Sequence, residues 1–260
     1  MNRLSSTTKL HKYNLQYISY GQNAEDIVLM RVFSGQRNGF YIDVGAGDPL
    51  FGSITKNLYE KLNWAGINIE PNPTIYNKLV TERPRDINVA CGVSDDKGNV
   101  KFTVLKDDWA WGLSTFDRKL ADGYKKKGLE TESITVPIRT LNDILNEHQP
   151  KQIDLLKVDV EGWEDKVMKS IDLSKWRPRV ILIEATVPTT TKQSHNKWEH
   201  LLIAAGYIQT LFDGLNRFYC LKTDKKLMKE LSIPANTFDR FIPYKWWVLL
   251  DKKTQDSLKA

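Results

Sequence analysis

GFYIDVGAGDPLFGSITKNLYEK, residues 39–61, is the stretch whose reading decides the fold. An apolar run stops at an acid, Asp43. A turn spaced by Gly45 and Gly47 follows, and then a helix-like stretch with Thr55 near its start. A strand that ends in a glycine turn and passes straight into a helix is the opening of an α/β unit. In an open α/β sheet, ligands gather at the carboxyl ends of the strands, where the strand order reverses. A dinucleotide-binding turn would read G-x-G-x-x-G. Here the frame is Gly45-Ala46-Gly47-Asp48-Pro49-Leu50, with Leu50 in the place of the third glycine.

The acid before the turn narrows the ligand. A carboxylate at Asp43 repels a pyrophosphate but suits a ligand with an ammonium group and no phosphate. Glu70 closes the next strand-like run, AGINIE, 23 residues beyond Gly47. A carboxylate at that position can accept from both hydroxyls of a ribose. Ammonium, ribose and a cationic sulfur together describe S-adenosylmethionine, and these residues point to it. The competing reading is a glycine turn imposed by tight strand–helix packing, with Glu70 a surface acid.

Outward from this stretch, strand and helix patterns alternate. SYGQNAEDIVLMRVF reads as helix from Gln22, NPTIYNKLVTE as helix, DINVAC as strand, and VKFTVL as an edge strand after the turn SDDKGN. Residues 106–133 carry the least pattern. A long irregular segment in a compact domain is usually functional or disordered. SITVPIRT, IDLLKVDV and RVILIEA read as strands, LNDILNEH and GWEDKVMKSI as helices. NKWEHLLIAAGY reads as a helix capped by Ser194, and YIQTLFDGLNRFYCL as a hairpin about Asp213-Gly214. The expected fold is α/β, with a mostly parallel sheet and an antiparallel C-terminal strand. Residues 1–18 read as an N-terminal extension, 19–233 as the domain, and 234–260 as a tail, with Trp246-Trp247 expected to pack on it.

The totals exclude some classes. The 260 residues carry a net charge of +6, but acids and bases are interspersed. The basic stretches at 125–127 and 222–229 are short and lack stacking aromatics, so no nucleic-acid partner is expected. Cys91 and Cys220 sit in apolar runs with no CxxC pair, which fits a reducing compartment. No run is long enough to span a bilayer, the N-terminal residues show no apolar leader, and a cytoplasmic location is expected.

DLLKVDVEGWE is the second loaded stretch. Asp159 falls at the carboxyl end of its strand, beside the strand of Asp43, and Glu184 ends the next one. Such a carboxylate group must be neutralised by Lys157, a cationic cofactor, a proton or a divalent metal. Lys157 reads foremost as half of a buried ion pair. Glu161 either joins the acids or caps the following helix. Methylating an alcohol needs a base or a metal that acidifies the hydroxyl. Asp159, with Glu184 or His195, is the catalytic candidate set; the alternative for His195 is a solvated helix start.

GFYIDVGAGDP, GINIEPNP, RDINVACGVSD, GLSTFD, VPIRTLNDIL, IDLLKVDVEGWE, ILIEAT, SHNKWEHLL and FDGLNRFYC occur in this order. The series, from about Tyr17 to Phe241, resembles the FkbM family of methyltransferases. The resemblance implies a class I, Rossmann-like methyltransferase fold, with seven strands, an antiparallel last strand and helices on both faces. It also implies O-methylation of sugars in capsule, O-antigen or other polysaccharide biosynthesis. The acceptor would be a sugar, nucleotide-sugar or glycan. Asp43, Gly45, Ala46, Gly47, Glu70, Pro71 and Cys91 are then expected at the cofactor. Asp159 and Glu184 resemble, by position, ligands for Mg²⁺ or Mn²⁺. Glu161, the irregular loop from Trp109 to Asp117, His195, Asn216 and Arg217 are candidates for the acceptor. For Trp109 the alternative is loop packing, and for Arg217 a surface pairing with Asp213. An N-methyltransferase acting on an amine or amide, and a non-catalytic binding module, are the competing functions. A homo-oligomer is left open.

Overall fold

The computed structural model describes residues 15–107 and 110–259. A short strand β1 (Tyr17–Ser19) and helix α1 (Glu25–Val32) lead into β2 (Phe40–Val44), the strand before the glycine turn. Alternation follows through α2 (Lys56–Leu62), β3 (Ala65–Ile69), α3 (Pro73–Glu82) and β4 (Ile87–Val89). Next come β5 (Gly92–Val93), β6 (Gly98–Leu105), α4 (Arg118–Lys126) and β7 (Thr131–Arg139). The second half of the alternation is α5 (Leu141–His148), β8 (Leu155–Val158), α6 (Glu164–Lys169), β9 (Val180–Glu184) and α7 (Glu199–Ala204). The hairpin β10 (Tyr207–Phe212) and β11 (Asn216–Leu221) is followed by α8 (Lys225–Leu231), β12 (Phe241–Pro243), α9 (Tyr244–Trp247) and α10 (Lys252–Lys259).

Seven strands form the main sheet in the order β10-β11-β9-β8-β2-β3-β4. β11 runs antiparallel to both its neighbours, and the remaining pairings are parallel. From β2 the chain builds outward to β3 and β4, then returns to build β8 and β9 on the other side. The order therefore reverses between β2 and β8, and the glycine turn sits at that switch point.

The period of two along the strands divides the core. Ile42, Val44, Leu156, Val158, Ile181 and Ile183 face α5, α6 and α7. Their neighbours Tyr41, Leu155, Val180 and Leu182 face α1, α2 and α8. Helices on both faces make the central strands continuous apolar runs, and all residues of β8 and β9 are buried. A charge in such a strand must find a partner, which makes Lys157 informative.

Three details differ from the sequence reading. VKFTVL is an edge strand, but of a separate three-stranded sheet in which β6 pairs with β7, and β7 with β5. Ser194 makes no capping hydrogen bond. Its backbone N–H donates to Ala185 O, and the chain takes a tight turn at His195–Lys197 before α7. The segment after Pro234 is patterned: β12 pairs in parallel with β1, tying residues 17–19 to 241–243.

Candidate functional site

The glycine turn is fixed by its backbone before any ligand is considered. Gly45 and Gly47 have φ of 70° and 63°, left-handed values that favour glycine. A Cβ on Gly45 would lie 1.8 Å from Asp159 O, so the turn presses against the end of β8. The N–H groups of Gly45 and Ala46 both donate to Ile69 O, at 3.0 and 3.2 Å. Glu70 completes the clamp, accepting from Gly47 N at 3.0 Å and Asn72 N at 2.8 Å. Burial raises the Glu70 carboxyl to about 7, against the pull of those two N–H groups.

Asp43 lies behind this turn. Its carboxylate accepts from Thr55 Oγ1 at 3.0 Å and ion-pairs with Lys157 Nζ at 3.2 Å. Lys157 Nζ also donates to Gly45 O at 2.6 Å and stands 3.7 Å from Asp159. Burial alone would lower the Lys157 pKa, but Asp43 and Asp159 more than reverse that and keep it charged. Burial raises the Asp43 carboxyl, and Lys157 opposes it. Lys157 is thus the buried ion-pair partner that the sequence suggested, and Asp43 braces the turn from beneath.

In front of the turn opens a cavity of about 540 Å³. Gly45, Ala46, Gly47, Glu70, Pro71 and Cys91 all line it; of the nominated cofactor residues only Asp43 does not. Phe51, Ile75, Phe102, Leu113 and Phe116 give it an apolar side. Phe102 and Phe116 pack with ring centroids 4.6 Å apart, and Phe116 stacks on Trp163 at 4.8 Å. The sequence pointed to the loop 109–117 as a whole, which brings Leu113 and Phe116 to the cavity, but with no strand or helix period it could not single out these side chains.

At the other end of the cavity the later acids converge. Asp159 and Glu161 line it, and Glu184 lies beside them, 6% exposed. Carboxylate oxygens of the three lie within 4.8 Å of one another. Glu184 Oε2 and Glu161 Oε2 are buried and have no hydrogen-bond partner among the described residues. Burial raises both carboxyls, and the neighbouring Asp159 raises them further. Glu161 reaches this position because its own backbone is left-handed, with φ of 52°, as is that of Gly162 at 100°. Glu161 does not cap α6, whose start has no side-chain cap; Glu164 at its first position accepts from Gly162 N at 3.0 Å and Val160 N at 3.3 Å and so braces the acid loop. Thr115 Oγ1 donates to Glu161 O at 2.7 Å, fastening the irregular segment to the acid loop.

Several nominated residues stand elsewhere. His195 is outside the cavity wall and lies 3.7 Å from Glu199; burial and Arg217 lower its pKa. Asn216 is buried and donates to Glu25 at 2.6 Å. Arg217 pairs not with Asp213 but with Glu199 at 2.7 Å, and it donates to Gln193 and Gln209. Asp213 instead accepts from the hairpin N–H groups of Leu215 and Asn216. These two acceptor candidates are held in side-chain networks of β11, as the strand register at Glu184–Asn216 and Ile183–Arg217 dictates. Trp109 lies outside the described residues.

A parallel sheet that reverses order at β2, an antiparallel β11 and a cleft at the switch point define the class I methyltransferase fold. The family described as the Methyltransferase FkbM domain matches residues 43–208. Methyltransferase sdnD of Sordaria araneosa is 29% identical over 182 residues, 58% of this chain and 68% of that protein. The O-methyltransferase from Bacillus cereus, solved in complex with SAH, aligns over 79% of this chain and 83% of its own at 16% identity and a TM-score of 0.35. The chain belongs to the FkbM methyltransferase family. It is a methyltransferase.

Proposed function

We propose that this enzyme is an O-methyltransferase acting on a sugar hydroxyl, carried by a nucleotide-sugar or a growing glycan in cytoplasmic polysaccharide biosynthesis. The observation that carries this reading is the three-carboxylate cluster at the acceptor end of the cofactor cleft. An amine nucleophile needs no such group, whereas a hydroxyl must lose a proton to attack. Residues 19–233 are taken as the catalytic domain, with 234–260 packed on it. The β1–β12 pair and the Arg31–Asp239 ion pair at 2.7 Å support that packing, and β1 carries the domain back to Tyr17.

The residues present fit both groups that the chemistry asks for. The glycine turn lets a ligand approach the backbone, Glu70 keeps lone pairs free for ribose hydroxyls, and the phenylalanines give an apolar wall for a base. Asp159, Glu161 and Glu184 offer hard oxygen ligands, two of them with an orphaned oxygen, a set suited to Mg²⁺ or Mn²⁺. Bound there, S-adenosylmethionine supplies a methyl group on a sulfonium, and a divalent cation lowers the pKa of a nearby hydroxyl.

The chain's own residues do the remaining work. Gly45 and Gly47 set the floor on which the cofactor lies, and Lys157 and Asp43 keep that floor rigid. Asp159 accepts the hydroxyl proton on its carboxylate while the oxygen forms the new bond to carbon and the carbon–sulfur bond breaks. Because this is a direct displacement, alignment of the three atoms contributes much of the rate. Lys157, 3.7 Å from Asp159, helps hold that carboxylate in place at the cleft.

A screen of nucleotide sugars with methyl-labelled cofactor, with and without Mg²⁺ or Mn²⁺, tests the proposal. Label on a sugar oxygen, reduced by a chelator, is the expected result. Label found only on amine or amide nitrogen would refute it.

A further inference from the structure

Beyond the cleft, the C-terminal segment presents an apolar surface that methyl transfer does not use. Ile233, Phe238, Trp246, Val248 and Leu249 are exposed, Phe238 at 91% and Leu249 at 73%. They are five of the ten exposed large apolar side chains among the described residues. Scattered exposed apolar residues need no explanation, but a concentration of this kind marks an interaction surface. Trp246 and Leu249 stand three residues apart on one helical turn, where Leu249 N–H donates to Trp246 O at 3.2 Å, so they share a face. Trp247 turns inward and is buried, fixing the turn to the body of the protein.

Basic side chains are interspersed with these residues along the same segment. Arg240, Lys245, Lys252 and Lys253 are exposed. The nearby acids are largely committed: Asp239 pairs with Arg31, Asp256 with Lys252, and Asp251 accepts from Thr254 N at the start of α10. Arg240, Lys245 and Lys253 are left with no ion-pair partner among the described residues. The surface also adjoins the cleft. Tyr244 of α9 meets Phe51 edge to face at 5.4 Å, and Phe51 lines the cavity.

We propose that this surface docks on an anionic phospholipid bilayer, which would place the cleft beside an acceptor presented at that surface. Tryptophan and tyrosine with aliphatic neighbours and flanking lysines have the composition of an interfacial anchor. The lysines and Arg240 supply attraction to acidic headgroups. The association is peripheral, since no helix among the described residues is long and apolar enough to cross a membrane. A second copy of the chain is a poorer occupant, because a two-fold contact would bring two sets of basic side chains together.

Flotation of the full chain with vesicles tests this without reference to the acceptor. One set contains phosphatidylcholine alone, the other phosphatidylcholine with about one third phosphatidylglycerol, both at low ionic strength. Strong flotation with the acidic vesicles and little with the neutral ones is expected. Trp246→Ala with Leu249→Ala should lower binding at least tenfold. Lys245→Gln with Lys253→Gln should lower it by about fivefold per lysine, and added salt should act in the same direction. All these side chains are exposed, so circular dichroism and melting should match the parent chain. Failure to float with acidic vesicles would overturn the proposal, as would undiminished flotation of both variants. So would a dimer by light scattering that the Trp246→Ala, Leu249→Ala pair converts to monomer with no effect on vesicles.

Discussion

Glu184→Gln probes the carboxylate cluster most sharply, because the structure fixes what each charge costs. Asp159, Glu161 and Glu184 bring oxygens within 4.8 Å of one another. At an effective dielectric constant of about 20, two unit charges at that distance repel by about 3.5 kcal/mol, so three mutually facing charges cost on the order of 10 kcal/mol. That is comparable with the whole stability of a domain. Of the three acids Lys157 ion-pairs only with Asp159, at 3.7 Å, and it is shared with Asp43 at 3.2 Å, so it offsets only part of this. The cluster therefore holds either a proton or a cation near neutral pH. Glutamine reproduces the shape of a protonated glutamate. In chelator, Glu184→Gln should thus unfold within about 1 kcal/mol of the parent chain. With Mn²⁺ at 100 times its dissociation constant, the parent gains about 2.7 kcal/mol. For a chain of this size that is a rise in Tm of about 5–10 °C. The variant, short of one anionic ligand, should lose most of that rise and most of its turnover. Thermal melting across a Mn²⁺ and Mg²⁺ titration, with chelator as the baseline, reads both effects. A parent chain that melts at the same temperature with and without cation would refute the reasoning, as would a variant that keeps the full rise.

Other perturbations follow from the same geometry. Glu70 titrates near 7 in the folded chain, above its ordinary 4.5, so it subtracts stability as pH rises from about 4.5 to 7. Ribose hydroxyls favour the ionised form; binding of S-adenosylhomocysteine should strengthen about tenfold between pH 6 and 8 by calorimetry, and Glu70→Gln should flatten that profile. Gly45→Ala places a Cβ against Asp159 O in a left-handed turn, and should cost about 3 kcal/mol or more of unfolding free energy in urea. Lys157→Met leaves Asp43 buried without its counter-ion and should cost about 3–5 kcal/mol; adding Asp43→Asn should restore part of it.

Much of this was legible in the sequence because it is local. The alternation of strands and helices, the glycine turn, and acids placed one residue beyond the ends of β8 and β3 all follow from short-range periods. Carboxyl ends of parallel strands share one edge of a sheet, so Glu70, Asp159 and Glu184 could be gathered without coordinates. Non-local choices were not legible. Asn216 and Arg217 depend on the register of β11 against β9, and the register turns them toward Glu25 and Glu199. Asp43 looked like a ligand group because only the fold shows Lys157 reaching it through the floor. Glu161 could not be divided between cap and cluster until its φ of 52° was seen and its oxygen lay with those of Asp159 and Glu184. β6 and β7 have ordinary strand patterns, and only pairing distinguishes a separate small sheet from an edge of the main one.

A crystal structure of the enzyme with S-adenosylhomocysteine tests the central claim most directly. The ribose hydroxyls should lie within hydrogen-bonding distance of Glu70, the methionine tail over Gly45–Gly47, and the sulfur should point at Asp159, Glu161 and Glu184. A ribose away from Glu70, or a sulfur turned from the three acids, would contradict it.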